Sequence, residues 1–360
     1  VVGGIGWELV AKSVEVDGRQ LQDFTKVHGS HVPYHVDINA QLYSLLAEEA
    51  CLDAGVSLAY YQFPQKVEQT ADGWLVDVVG QGVAYQLRCA QIIDCTGGAE
   101  VVGMLGMERM RGETRQPGTH VVTFKGFDTK VVRENAALIK KKYNEAIKNG
   151  TLQKGDTWTG NIMGVIASTR GNTNHIFGAD STNAATQTQT NLAGRKCVLR
   201  LLKFFKTIPG GEKASINKMM NETASRETYR IKGETMITVH DYTSGRVFED
   251  ALCYSFYPID LHDAKGVVPR HLKHGTVPTI PRGALIPKGS KNIMVAGRCV
   301  SSDRLANSAA RVQASSMGMG QAAAVTAVLA ARLKTTPGEV PLEKIHAELK
   351  KHKAIVPARS

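Results

Sequence analysis

Residues 292–324 read NIMVAGRCVSSDRLANSAARVQASSMGMGQAAA and carry the strongest structural signal in the chain. The apolar run at 292–297 predicts a buried strand that ends in glycine, and the small residues of 317–333 predict a helix. Gly318 and Gly320 at the start of that helix lower its helix propensity and remove side-chain packing. We therefore expect a bulky group or a second backbone to press against this helix end, with a tight helix-on-sheet contact as the alternative. The free N–H groups of a helix N-terminus suit an anionic group.

A second strand and turn lie at residues 91–98, which read QIIDCTGG. The pattern predicts a short buried strand that runs directly into a glycine turn. Ligands of open α/β sheets bind at such strand ends, and glycine lets the backbone approach a phosphate or a ribose closely. Glycine turns are also common for structural reasons alone, so this segment by itself leaves both interpretations open.

An antiparallel region is predicted before residue 91. Asp37 is expected to cap a helix that ends at Gly55, and residues 56–60 alternate as a strand. The Asp72-Gly73 dipeptide then predicts a hairpin, which a further run at 85–90 extends into a small meander.

The pattern changes between residues 105 and 279, where helices and polar loops are mixed. Amphipathic segments at 131–148 and 192–206 predict two of the helices. We interpret this stretch as a second domain inserted into the first. Residues 334–360 begin with a Pro-Gly break and continue as a Lys-rich amphipathic pattern, which we interpret as a surface helix.

Composition restricts the class of protein. The chain has 360 residues, 42% of them hydrophobic, and a formal net charge of +11, which is typical of a globular protein with anionic partners. A nucleic-acid binder is one alternative, indicated by this charge and by Lys140-Lys141-Lys142. The basic residues are nevertheless spread along the chain and aromatic content is only 6%, so we do not expect nucleic acid to be the partner.

The cysteines and apolar runs indicate neither a metal site nor a membrane span. The six cysteines contain no C-x-x-C pair, so no zinc site or redox dithiol is expected and we interpret them as reduced thiols. The longest run of small apolar residues, 322–331, is about half the ~20 residues that a membrane span needs. Because the first residues lack a signal-peptide pattern, we expect a cytoplasmic protein.

Three ordered motifs resemble one known family. Residues 280–287 (IPRGALIP), 292–298 and 320–323 are together similar to the C-terminal FAD-binding signature of FAD-dependent oxidoreductases with a glutathione-reductase-like nucleotide fold. The interior motifs RETYRIKGE at 226–234 and YPIDLH at 257–262 agree with it. The turn at 92–98 resembles the second flavin-contacting turn of that family.

The resemblance implies an α/β protein with a FAD/NAD(P)-binding, glutathione-reductase-like domain and an inserted α+β substrate domain. The FAD-binding domain would comprise residues 1–105 and 280–333, the substrate domain 106–279, and the surface helix 334–360. The cofactor would be FAD. The reaction would be removal of a hydride from a C–H bond of a small polar substrate, as in a dehydrogenase.

The resemblance also assigns site residues. The residues expected to contact FAD are Val67, Thr96, Gly97, Gly297, Arg298, Gly320 and Gln321. Arg311 is expected beside the isoalloxazine ring, where it would stabilise the charge that reduction creates. The candidates for substrate chemistry are His262, as a proton carrier, and Arg226 and Arg230, as carboxylate clamps. The alternatives are a structural histidine and i, i+4 pairing of the two arginines with Glu222, Glu227 or Glu234.

One feature of the family pattern is not found in the sequence. The family opens with a G-x-G-x-x-G turn for the FAD pyrophosphate, and no such turn precedes Gly29. We therefore expect a further N-terminal segment, from a longer precursor or from a partner chain, or else a loss of normal FAD binding. The alternative function is a non-catalytic subunit or fragment of a flavoprotein that uses the fold for assembly.

Overall fold

A computed structural model describes residues 2–24, 34–264, 266–267 and 269–358. The helices are α1 Gly4–Val16, α2 Ala40–Asp53, α3 Glu100–Met104, α4 Thr129–Glu134, α5 Ala136–Lys148, α6 Ile162–Ala167, α7 Ala184–Phe205, α8 Val239–Ser244, α9 Arg304–Ala310, α10 Gln313–Leu333 and α11 Leu342–Lys351. The strands are β1 Gln62–Thr70, β2 Gly73–Gly80, β3 Val83–Cys89, β4 Ile92–Asp94, β5 Arg109–Met110, β6 Val122–Lys125, β7 Ser215–Met219, β8 Arg230–Ile231, β9 Ala251–Tyr254, β10 His262–Asp263, β11 Gly266–Val267, β12 Thr279–Pro281 and β13 Ile293–Val295.

The chain forms two compact units. The first unit contains Val1–Arg111, Tyr229–Asp260 and Pro269–Ser360, and the second contains Gly112–Thr228 and Leu261–Val268. A chain that leaves the first unit, builds the second and returns has the connectivity of an insertion.

The two strands predicted to end in glycine turns are neighbours in the first unit. β4 and β13 pair in parallel, with Ile293 opposite Ile92 and Val295 opposite Asp94. β13 is fully buried, as its continuous apolar sequence predicts. Because the strands are parallel, the turns that follow them leave the sheet at the same edge.

The predicted meander is present and packs beside this pair. β1, β2 and β3 form an antiparallel sheet in that order, and the Asp72-Gly73 turn joins β1 to β2 as predicted. Trp74 is buried in the core shared with β13 and donates from Nε1 to the carbonyl of Asn292 at 2.8 Å. The strand predicted at 56–60 was wrong: these residues are irregular and exposed, since no neighbouring strand in the described chain pairs with them.

The predicted helix after Asp37 is confirmed, but its cap lies two residues later. Asn39 is the N-cap, and its side chain accepts a hydrogen bond from the backbone N–H of Leu42 at 3.3 Å. Leu46 of this helix is buried, whereas its neighbour Leu45 is exposed.

The small-residue helix α10 begins at Gln313, four residues before the predicted start, so Gly318 and Gly320 lie inside it. Its buried face packs in the main core of the first unit, which also contains β9 and parts of α9 and α11. Among the described helices, α10 alone has the length and apolar composition needed to cross a membrane, which by itself is weak evidence of a span. Its packed face is that of a core helix.

The C-terminal helix is less solvated than expected. α11 is strongly amphipathic, and Ile345 and Leu349 on its apolar face are buried in the main core of the first unit. The Lys-rich face carries the charge, as the sequence predicts, but the helix stabilises the unit by burying the opposite face.

The second unit has its own core. The antiparallel pair of β6 and β7 packs against α5 and α7, with Phe205 of α7 in edge-to-face contact with Phe124 of β6 at a ring distance of 4.9 Å. The buried carboxylate of Asp156 forms a bidentate ion pair with Arg200, with N–O distances of 2.6 and 2.8 Å. The amphipathic segment predicted at 131–148 is divided between α4 and α5 at Asn135, and the one predicted at 192–206 is the later part of α7, which begins at Ala184.

Candidate functional site

The turn after β4 is held by one carboxylate. Asp94 is buried and accepts hydrogen bonds from the backbone N–H of Thr96 at 3.0 Å, its hydroxyl at 2.7 Å, and the N–H groups of Val101 and Val102 at 2.9 and 3.2 Å. The Thr96 hydroxyl accepts in turn from the N–H of Glu100 at 3.0 Å. The carboxylate thus caps the first turn of α3 and fixes the glycine turn between.

The turns after β4 and β13 meet at Gly97 and Arg298. Gly97 has φ = +77° and Gly297 has φ = +94°, a region that favours glycine. A Cβ on Gly97 would collide with the guanidinium group of Arg298. Burial lowers the pKa of that guanidinium, yet an arginine remains protonated at neutral pH. A cation therefore lies at the shared edge of the two strands.

Asn307 of α9 supports this edge and leaves one polar atom unsatisfied. Its side-chain nitrogen donates to the carbonyl of Arg298 at 2.9 Å and to the hydroxyl of Ser302 at 3.2 Å. Its carbonyl oxygen Oδ1 is buried and has no hydrogen-bond partner among the described residues. A buried acceptor without a donor costs about 1–3 kcal/mol, so this atom is suited to a donor from a bound molecule.

A groove of about 420 Å³ lies beside the same edge. Its lining residues come from the starts of α2 and α10 and are Ile38, Ala40, Tyr43, Ser44, Gln313, Ser316 and Met317. The hydroxyl of Ser316 lies 3.9 Å from the position that a Cβ on Gly297 would occupy, so the groove reaches the β13 turn. The N-cap of α10, Val312, provides no side-chain cap, and the partial positive charge of this end faces an open site.

The residues of α10 near the expected FAD contacts have different surroundings. A Cβ on Gly320 would meet nothing within 4 Å, whereas one on Gly318 would lie 3.3 Å from Cys253 of β9. The Gln321 amide lies against Gly4 of α1 and donates to the carbonyl of His352 at 3.3 Å. The second backbone expected against this helix is therefore α1, and Gly320 alone of these residues borders open space.

Val67 and Arg311 also lie in the first unit. Val67 is buried in the core beneath the meander, on the edge strand β1. Arg311 joins α9 to α10, and its Nη2 lies 3.4 Å from the carbonyl oxygen of Asp260 and 3.9 Å from its carboxylate. Both side chains are largely buried, so the guanidinium is held in one orientation.

Tyr257 belongs to the same cluster and was missed by the sequence reasoning. Burial raises the pKa of its phenol, the charge of Asp260 raises it further, and the charge of Arg311 opposes them. The ring stacks on His35 at a centroid distance of 6.0 Å. The available signal was the motif at 257–262 itself, which contains Tyr257 and Asp260 as well as His262.

In the second unit, His262 of β10 pairs with a second histidine. Its Nδ1 lies 2.8 Å from Nε2 of His175, its backbone N–H donates to the side-chain oxygen of Gln116 at 3.1 Å, and its ring stacks on Trp158. Nothing in the sequence pattern indicates His175, which lies 87 residues away in the chain.

Arg226 is held by backbone and side-chain oxygens of the second unit. It donates from Nη1 to the carbonyl of Pro117 at 2.5 Å and from Nη2 to Thr119 at 2.7 Å and Asn172 at 3.2 Å. Residues 222–230 are not helical, so Arg226 and Arg230 do not have the i, i+4 spacing of a helix face. Arg230 belongs to the first unit, where its Nε donates to the carbonyl of Ser302 at 2.9 Å.

The described residues contain no group of three or more His, Cys, Asp or Glu side chains that could hold a metal ion. Cys299, which follows β13, is buried, and burial raises the pKa of its thiol to about 12. It is therefore a thiol rather than a reactive thiolate at neutral pH.

A model of the FAD dependent oxidoreductase family matches residues 1–349. The chain belongs to this family. The resemblance to FAD-dependent oxidoreductases is confirmed, and the family implies FAD as the cofactor. No curated protein matches the chain. Among solved structures, the OxyS anhydrotetracycline hydroxylase from Streptomyces rimosus is 21% identical with a TM-score of 0.26, and the match covers 34% of this chain and 29% of that chain.

The residues of this oxidoreductase at the β4 and β13 edge fit FAD. Arg298 offers a positive charge to its anionic parts, and the uncapped start of α10 offers backbone N–H groups. Asn307 Oδ1 offers a buried acceptor that needs a donor. Gly97 and Gly297 have no side chains of their own at the two turns, and the guanidinium group of Arg298 lies beside Gly97. The further N-terminal segment stays a prediction.

Proposed function

We propose that the first unit of this oxidoreductase binds FAD at the carboxyl ends of β4 and β13, in a domain of the glutathione-reductase-like class. The observation that carries the proposal is the meeting of Gly97 and Arg298 at the edge where both strands end. Thr96, Gly297 and Gly320 would line the cofactor, with Val67 contributing its backbone and Gln321 lying farther along α10. The inserted substrate domain, predicted at 106–279, would be supplied mainly by the second unit.

The proposed reaction is removal of a hydride from a C–H bond of a small polar substrate. FAD, when bound, supplies the acceptor for the hydride. Arg311 would stabilise the negative charge that develops, since a fixed guanidinium in a water-poor site needs no reorganisation to do so. Asp260 would keep Arg311 in place through the contacts at 3.4 and 3.9 Å.

His262 and Arg226 are proposed to act on the substrate. His262 would take a proton from a hydroxyl or amine as the C–H bond breaks, because imidazole exchanges protons near neutral pH. Arg226 would bind a carboxylate or a developing oxyanion. Oxygens of Pro117, Thr119 and Asn172 hold the plane of the guanidinium, which lowers the entropy lost on binding.

The test is anaerobic reduction of the FAD-loaded protein by panels of hydroxy acids, alcohols, amines and sugars. Bleaching of the flavin by one class, with saturation in substrate concentration, supports the proposal. Stoichiometric FAD that no panel member reduces, while dithionite does, would favour the non-catalytic alternative.

A further inference from the structure

The second unit contains a pair of buried imidazoles in direct contact. His175 and His262 are 3% and 4% exposed, and Nε2 of the first lies 2.8 Å from Nδ1 of the second. At this distance one hydrogen joins the two nitrogens. Two hydrogens do not fit, since each nitrogen would then point a donor at the other.

Packing holds both rings at this distance. Trp158 stacks on His262 at a centroid distance of 5.4 Å and an interplanar angle of 18°, and Phe177 contacts His175 edge-on at 5.9 Å. The backbone N–H of His175 donates to the carbonyl of Gly155 at 2.7 Å. A Cβ on Gly155 would overlap the carbonyl of His175, so this approach requires glycine.

Three carboxylates lie on the elements that surround the two rings. Asp156, beside Gly155, pairs with Arg200 at 2.6 Å. Glu227 accepts two hydrogen bonds from Gln116, at 2.7 and 3.0 Å, and Gln116 holds the backbone of His262. Asp263 follows His262 on β10 and has interactions of its own. The contact of 2.8 Å between the two ring nitrogens joins the two rings directly.

We propose that His175 is a positioning residue that sets which ring nitrogen of His262 carries hydrogen, and that the two rings take up one proton as a unit. When the bridging hydrogen is bonded to Nδ1 of His262, its Nε2 has a lone pair and accepts a proton. When the hydrogen is bonded to Nε2 of His175, the neutral His262 carries its hydrogen on Nε2 and donates instead.

The histidine pair takes one proton from the substrate. That proton leaves the substrate O–H or N–H, a new N–H bond forms at Nε2 of His262, and the single positive charge is shared across the bridge. A second proton is excluded because it would place two N–H groups against each other. This inference rests on the role proposed for His262, but the pairing itself does not depend on FAD.

The test is nitrogen NMR of the full chain with ¹⁵N-labelled histidine, without added flavin. His175→Phe and His262→Phe assign the signals, and His274→Phe, an exposed histidine, is the matched control. We expect one bridging hydrogen coupled to both nitrogens and uptake of one proton by the pair. In His175→Phe, His262 should populate both tautomers and titrate alone.

Two results would overturn the proposal. One is independent titration of both rings with two protons taken up. The other is an unchanged His262 tautomer in His175→Phe. If that variant does not fold, the nitrogen–nitrogen coupling across the bridge in the unmodified protein decides, because its absence at neutral pH contradicts a shared hydrogen. Failure of FAD binding or reduction would leave all these readouts intact, so the two proposals fail separately.

Discussion

The guanidinium group of Arg298 occupies the space that a Cβ on Gly97 would fill. Gly97 follows β4 and Arg298 follows β13, so this contact joins the two turns at the edge where the parallel strands end. Because Gly97 has no side chain, the guanidinium group of Arg298 can lie against it. FAD binding is expected to depend on both.

Gly97→Ala should therefore weaken FAD binding as well as stability. The left-handed backbone, with φ = +77°, and displacement of Arg298 together cost roughly 1–3 kcal/mol. Gly82→Ala is a matched control, because Gly82 has φ = +75° and nothing lies within 4 Å of its Cβ position. Denaturant unfolding and FAD titration of both variants check this. Equal FAD affinity of the two variants would contradict a cofactor contact at Gly97.

Gly320→Ala should separate folding from cofactor binding. A Cβ at Gly320 enters open space, so the substitution should stabilise α10 by up to about 1 kcal/mol through helix propensity. FAD should bind more weakly if the cofactor lies against this residue. Gly318→Ala is the companion variant, where the Cβ approaches Cys253 at 3.3 Å and packing is tested instead. Unchanged FAD affinity of the Gly320→Ala protein would show that Gly320 does not contact FAD.

The local patterns predicted the elements that border this site better than they predicted their ends. The buried runs before Gly97 and Gly297 predicted both strands, because short apolar segments bounded by glycine have few alternatives. The start of α10 was misplaced because Ser315 and Ser316 favour a helix N-cap, whereas the helix already begins at Gln313. Gln321 illustrates a further limit, since its contact with Gly4 is between residues distant in sequence.

Within the second unit the sequence predicted one half of the histidine pair. The motif containing His262 was visible, but His175 is brought to it by the tertiary fold of the second unit. Periodicity carries no information about such a contact. The same holds for Asp260 and Arg311, which only the turn between α9 and α10 places together.

Arg311→Met should fold and retain FAD but reduce it about 10²-fold more slowly, the usual effect of losing one electrostatic donor. Methionine keeps comparable bulk and removes the charge. Arg332→Met, at the exposed C-terminal end of α10, is the control. Rapid-mixing measurement of flavin bleaching checks the rate, and wild-type reduction by Arg311→Met would show that Arg311 serves packing alone.

Acid should destabilise the protein partly through His120. This side chain is buried beside Thr223, and burial and the charge of Arg195 lower its pKa from 6.5. Below pH 6.5 the unfolded chain binds this proton while the folded chain does not, so stability falls with pH until the folded value is passed.

The stability difference between wild type and His120→Gln should therefore shrink on acidification from pH 8 to pH 5. Chemical unfolding at each pH measures it, with the exposed His274→Gln as control. A difference that stays constant over this range would show that His120 does not contribute to the acid dependence.

Hydrogen–deuterium exchange of the full chain, with and without saturating FAD, tests the cofactor site most directly. We expect slower exchange at residues 95–101, 297–300 and 313–320, where the two strand turns and the start of α10 lie, and no change in α11. Protection confined to other segments, or no FAD uptake by the folded protein at any concentration tested, would contradict the assignment of the FAD site to the β4 and β13 edge.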